Sequence, residues 1–284
     1  MNINQRLTVP SALESARFFA DLPAVENNSR VYAPQVMTLS AQPQSRVLSN
    51  SLGIMTLADQ PGGGIDLDNQ AEVNTDSPVI IAFDDNVSEE NREAVMLGVE
   101  FAETVANSRV DIDQDPIGYL REYSTAFRHA GWLTTGGHEF SEYTSRDRSL
   151  TMDSVVLDLL GSIAGPNKAA IIQLLSLTLD KLQKNEPLLQ LFESNSRKAQ
   201  TGNFRLIPCL QSRRGTPITY LLSMHVTFSK STGGALFWKW SVSNLHIQRL
   251  AKGVQFNKRT FERNEGAIYE YLGDSADKYF EGLK

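Results

Sequence analysis

Apolar residues recur along this chain with two periods, near 3.6 as far as about residue 200 and 2 beyond Gly202, and the change predicts helices followed by a sheet. Pro78-Val79-Ile80-Ile81-Ala82-Phe83 is a short apolar run ending at Asp84-Asp85-Asn86, which reads as a buried strand. A helix over about Ser88–Ser108 follows, with Glu89 and Glu90 suiting its N-terminal dipole and Val95, Val99, Ala102 and Val105 as its stripe. Asp115-Pro116 announces a second helix that runs to about Ala130 and closes at Gly131. Its face of Tyr119, Leu120, Tyr123 and Phe127 reads as core. From Thr151 the apolar density rises, and Gly165-Pro166 divides it into a helical hairpin, with Asp153, Asp158, Asp180 and Lys181 keeping each arm from being a membrane span. A further apolar piece, Leu188–Phe192, follows Pro187.

Beyond Gly202, Tyr220, Leu222, Met224, Val226 and Phe228 alternate with Thr219, Ser223, His225 and Thr227. Ser231-Thr232-Gly233-Gly234 is the expected turn, and Leu236, Trp238, Trp240 and Val242 the expected return strand. Adding Phe204–Leu210 and either Leu245–Leu250 or Val254–Phe256 makes an antiparallel sheet of three or four strands, closed by a helix over about Arg263–Leu283 interrupted near Gly273. Residues 1–75, rich in Asn, Gln, Ser and Pro, read as an irregular or extended arm with one short helix at Ser11–Asp21. The expected fold class is therefore α+β: a mainly helical first half packed against a small antiparallel β-sheet with a C-terminal helix. The expected segments are the arm 1–75, a strand plus helical region 76–200, and a basic sheet with its helix 201–284, the last two forming one compact unit.

Charge sharpens this picture. From Ser194 to Phe261 there is no Asp or Glu, against eleven Lys and Arg, where the chain's 33 acids in 284 residues would place about eight acids. Residues 1–202 hold 15 basic and 27 acidic side chains, whereas residues 203–284 hold 12 and 6. Acidic and basic parts of one molecule can neutralise each other, which is the simplest reading of the basic window. The sharper reading is a contact surface, because its cations interleave with Phe228, Trp238, Trp240 and Phe256. Anionic lipid headgroups suit that mixture, with tryptophans as interfacial anchors. Single-stranded nucleic acid is a lesser alternative, since the whole chain is acidic and carries no RNP-type or helix-turn-helix pattern.

Motifs for chemistry are sparse. Cys209 is the lone cysteine, so no intrachain disulfide or multi-cysteine zinc site is available, and it reads as buried structure. Asp111, Asp113 and Asp115 with Glu122 have the spacing of a calcium loop, but Pro116 stands where such a loop needs glycine, so an acidic turn before a helix is the reading. His129, near a helix C-terminus, suits the dipole when partly charged. His138, Glu139 and Glu142 are the candidate acid–base cluster, set against a polar loop or sheet edge. His225 and His246 lie on different strands and are not directly opposite with the turn at Thr232-Gly233, so a shared site needs another register. No metal and no cofactor is expected.

Tyr119 and Tyr123 ahead of Gly131-Trp132, the leucine-rich helix pair, and Gly202-Asn203-Phe204 opening a sheet resemble a scattered group of uncharacterised microbial proteins over about residues 90–284. The resemblance implies an α+β unit and no activity. The expected function is that of a non-enzymatic effector or toxin-like interaction protein. Its basic aromatic hairpin, through Lys230, Trp238, Lys239, Trp240 and Arg249, would contact an anionic membrane surface or an acidic protein partner. The alternatives are a cytoplasmic enzyme built around His138, Glu139 and Glu142, or a single-stranded nucleic-acid binder. The N-terminal stretch shows no apolar run of signal-peptide length, so a cytoplasmic location or export without a cleavable signal is expected.

Overall fold

The computed structural model describes residues 8–24, 35–39, 69–74, 78–134, 141–145, 152–198, 201–232 and 241–273. They form helix α1 (Ala12–Ala20), strands β1 (Gln35–Leu39), β2 (Asn69–Asn74) and β3 (Val79–Phe83), helices α2 (Glu89–Arg109) and α3 (Pro116–His129), and strands β4 (Trp132–Thr134) and β5 (Ser141–Ser145). Helices α4 (Met152–Ile163), α5 (Lys168–Lys184) and α6 (Glu186–Ser196) come next, then strands β6 (Arg197–Lys198), β7 (Thr201–Gln211), β8 (Pro217–Thr232) and β9 (Ser241–Phe256), and helix α7 (Lys258–Leu272). Gly165–Asn167 is a 3-10 turn between α4 and α5.

The fold is α+β, but the sheet is larger than expected and mixed. Nine described strands join in the order β1-β2-β3-β7-β8-β9-β4, with β5 also on β9 and β6 on β7. The expectation of a small antiparallel sheet is corrected by β3, which lies parallel to β7 (Ile80 opposite Leu206), and by β1 and β2, which bring two strands from the stretch read as an irregular arm. The physical reason is burial on both faces. In β3, Val79, Ile81 and Phe83 pack under α2 and α3, while Ile80 and Ala82 pack under α4 and α5. A strand covered on both sides is apolar throughout and suits a central place.

Helices thus form layers on both faces, α2, α3 and α7 on one and α4, α5 and α6 on the other. Where α2 crosses the indole of Trp132, Gly98 is the fit: a Cβ there would lie 2.6 Å from Trp132 Nε1. Trp132 itself is stacked between Phe127 and Phe256, with centroids 5.6 and 4.2 Å away. Strands β8 and β9 pair in one register from Ile218–Gln255 to Thr232–Ser241. This single register replaces both the expected turn at Ser231–Gly234 and the expected separate strands within 245–256; the connection is residues 233–240. The closing helix starts earlier than expected, at Lys258, and breaks as expected at Gly273, whose φ of 58° suits glycine, while its expected continuation over 274–283 lies outside the described residues.

Two buried polar contacts tie the layers together. Arg205 of β7 and Glu103 of α2 form a bidentate ion pair with both side chains almost wholly buried. Tyr119 of α3 donates to the same carboxylate at 2.6 Å, and the guanidinium lies over the Tyr119 and Tyr123 rings. At the chain start, α1 is pinned by His129, whose Nδ1 is 3.2 Å from Ser15 Oγ and whose ring stacks on Phe18 at 4.0 Å. Asn264 of α7 donates to both Ser15 Oγ and the His129 carbonyl. His129 is therefore not a charged cap. Burial first, then Arg128, lowers its pKa from 6.5 to about 4, so it is neutral.

Removing one partner of a buried pair strands the other charge. Glu103→Leu or Arg205→Met alone should lower unfolding stability by about 3–5 kcal/mol, while the double variant should cost less than either single change; urea unfolding measures both. The unfolded chain protonates His129 below pH 6.5, whereas the folded chain does so near 4. The stability His129 confers is therefore complete above pH 6.5 and lost as pH falls toward 4. Urea unfolding of His129→Phe, which keeps a ring beside Phe18, should show a shallower decline across that window.

Candidate functional site

On the α2/α3 face, the sheet changes character along its strands. Near β4 it is apolar, with Ile207, Cys209, Leu221 and Val254 in the core. Cys209 is buried and its thiol donates to Thr219 Oγ1 at 3.0 Å, so it is part of the packing. Toward the other end of β7 the Glu103–Arg205 pair closes the apolar part. Beyond it the cross-strand pairing aligns two polar rows, because residues directly opposite share a face. One row is Asn203, His225, Gln248 and Glu142; the next is Thr201, Thr227, His246 and Thr144.

These rows are within reach of the connection between α2 and α3. The Asn203 amide donates to Asp113 Oδ1 at 3.4 Å, and its carbonyl oxygen lies 2.7 Å from His225 Nδ1. An amide oxygen only accepts, so His225 carries its proton on Nδ1 and presents Nε2 as an acceptor. Burial lowers the His225 pKa, Asp113 opposes that, and His246 adds to it. His246 Nδ1 lies 3.3 Å from Thr144 Oγ1. The two histidines are not directly opposite, as expected, yet they lie diagonally on one face, since His225 opposes Gln248 and Thr227 opposes His246. The displaced hairpin turn is the reason: the pairing centres between residues 236 and 237. The alternation that sets His225 apart from Met224 and Val226 was the signal in the sequence, and the register was needed to use it.

Three of the candidate residues from the sequence, Glu142, Lys230 and Arg249, fall within the described residues. Glu142 is exposed on β5, opposite Gln248, while His138 and Glu139 lie outside the described residues. Lys230 pairs with Ser243 in the hairpin ladder. Trp238, Lys239 and Trp240 lie outside the described residues, in the 233–240 connection. Arg249 is half-buried opposite Met224, on the sheet face away from His225. Asp111 accepts from the Asp113 backbone and Asp115 caps α3 through Gly118 N, so both serve the turn. Among the described residues no group of three His, Cys, Asp or Glu side chains is placed to hold a metal ion. No described hydroxyl or thiol is bonded to His225, which offers a neutral acceptor at Nε2.

Part of the basic window is answered inside the molecule. Arg205 is consumed by Glu103, and Lys258 reaches Glu90 at 2.6 Å. Arg213 and Arg214 are exposed in the β7–β8 turn without an ionic partner among the described residues. No described helix is long and apolar enough to cross a membrane.

No protein-family model matches the chain, and no curated protein matches it. Weak likenesses to solved structures include two. That of the Evf virulence factor is 11% identical, with a TM-score of 0.35, covering 73% of this chain and 80% of its own. A delta-endotoxin is 10% identical, with a TM-score of 0.37, covering 70% of this chain and 89% of its own. Likenesses this weak carry no argument about what this chain does.

The Asn203 contact generates a direct test. Long-range ¹H–¹⁵N imidazole spectra at pH 7 should show His225 neutral with its proton on Nδ1. Asn203→Leu should shift the tautomer balance toward Nε2, and an unchanged pattern would remove Asn203 as the orienting group.

Proposed function

We propose that this chain is a non-enzymatic, effector- or toxin-like interaction protein that docks the tip of its β8–β9 hairpin on an anionic membrane surface. One observation carries the reading. The hairpin ladder continues from the buried Val226–Ile247 pair to Thr232–Ser241, about 20 Å of strand, and so carries the 233–240 connection to the end of the sheet. That connection reads Gly-Gly-Ala-Leu-Phe-Trp-Lys-Trp. Lys230 and Lys239 supply attraction to anionic headgroups, and Trp238 and Trp240 supply rings suited to the interface. The polar rows with His225 and His246 lead along the same strands toward this tip. The enzyme and nucleic-acid alternatives have no observation among the described residues in their favour, and internal pairing of Arg205 and Lys258 further weakens the latter.

Vesicle co-sedimentation tests the proposal. The protein should bind phosphatidylserine-containing vesicles at low salt, release them as salt rises, and ignore neutral vesicles. Neutralising Lys230 or Lys239 should each lower partitioning about fivefold, at about 1 kcal/mol per cation near the surface. Tryptophan emission should shift to the blue on binding, and Trp238→Ala with Trp240→Ala should abolish that shift, since Trp132 is already buried. Absence of binding at low salt would overturn the reading. Binding to polyglutamate with none to vesicles would replace the membrane with an acidic protein.

A further inference from the structure

At the other end of β9, roughly 50 Å from the hairpin tip along the strand, a groove of about 180 Å³ opens between α2 and α7. Its wall is apolar and aromatic: Leu97, Phe256 and Phe261, the two phenylalanine rings 5.5 Å apart. Its rim carries four carboxylates, Glu90, Glu93, Glu262 and Glu265, against one cation, Lys258. The Lys258 ammonium sits 2.6 Å from Glu90 and 3.8 Å from Glu262, which leaves Glu93 and Glu265 without an ionic partner among the described residues.

We propose that this groove binds one Lys or Arg side chain from a segment of a partner protein. The charge complementarity is direct, because the rim has an excess of three negative charges and its own cation is already paired with two of the carboxylates, so an anion meets net repulsion. The apolar wall adds what a bare acidic patch lacks. The methylene stem of Lys or Arg can lie along Phe256 and Phe261 while its charged head meets Glu93 and Glu265, with the ring faces favouring a cation. Size narrows the occupant further. Pockets for drug-sized ligands run from about 300 to 1,000 Å³, whereas this groove has room for little more than one long side chain. The site is separate from the hairpin tip and opposite in sign, so it does not depend on the membrane reading.

The experiment titrates the full chain with N-acetylated, amidated tripeptides of Ala-X-Ala, X being Lys, Arg, norleucine or Glu, and follows backbone amides by ¹H–¹⁵N spectra. At millimolar peptide and low salt, the Lys and Arg peptides should shift the amides of Leu97, Phe261 and neighbouring groove residues, while the norleucine and Glu peptides should not. Glu93→Gln with Glu265→Gln should weaken binding about fivefold or more, the scale of exposed ion pairs removed together. Lys258→Met, which frees Glu90 and Glu262, should strengthen it. Vesicle binding should be unchanged in both variants. No groove shifts with the Lys and Arg peptides, equal shifts with norleucine, or a loss of affinity in Lys258→Met would each overturn the proposal.

Discussion

The buried pair between Glu103 and Arg205 is the interaction around which the rest is arranged. Two charges in an interior cost several kcal/mol each to desolvate, so they persist only where geometry returns that energy. Here the return comes from a two-pronged contact, a phenol hydrogen bond from Tyr119, and two aromatic rings under the guanidinium. Burial, with Glu103 next, pushes the Tyr123 phenol well above its ordinary 10, so that ring stays neutral beside the pair. One contact thereby sets α2, α3 and β7 in mutual register. It also marks the boundary on the sheet face between a dry apolar half and the polar rows of Asn203 and His225.

The same contact changes the meaning of the basic window. A stretch without acids suggests a continuous positive surface, yet its members have different tasks. Arg205 is structural, Lys258 belongs to an acidic groove, and Arg249 is half-buried on the opposite face from His225. The exposed members are dispersed, with Arg213 and Arg214 in the β7–β8 turn and Arg259 in the first turn of α7. The acidic first part answers the basic second part at specific points instead of face to face, because strands and helices bring single side chains together.

The two ends of β9 then carry opposite chemistry. At one end the strand follows a connection whose sequence holds two tryptophans and one lysine; at the other it finishes in Phe256 beside four glutamates. A long regular strand is stiff enough to keep such surfaces apart, and helical layers on both faces keep it flat against the core. The N-terminal helix α1 adds a clasp on the α2/α3 side, held by a neutral histidine, Ser15 and Asn264.

By itself the sequence determined those features that depend on near neighbours. The starts of α2 and α3, the Gly165-Pro166 break, the burial of Cys209 and the alternation in β8 follow from capping, proline geometry and strand period, which act over a few residues. Tertiary structure alone decided the sheet's size, the parallel pairing of β3 with β7, and the inclusion of β1 and β2, since hydrogen bonds between distant strands leave little trace in local pattern. It likewise decided that Glu103 meets Arg205 across 102 residues, and that His225 and His246 become diagonal neighbours. A hairpin's register depends on where its turn falls, and moving the turn from Thr232-Gly233 to the 233–240 connection changes every cross-strand neighbour.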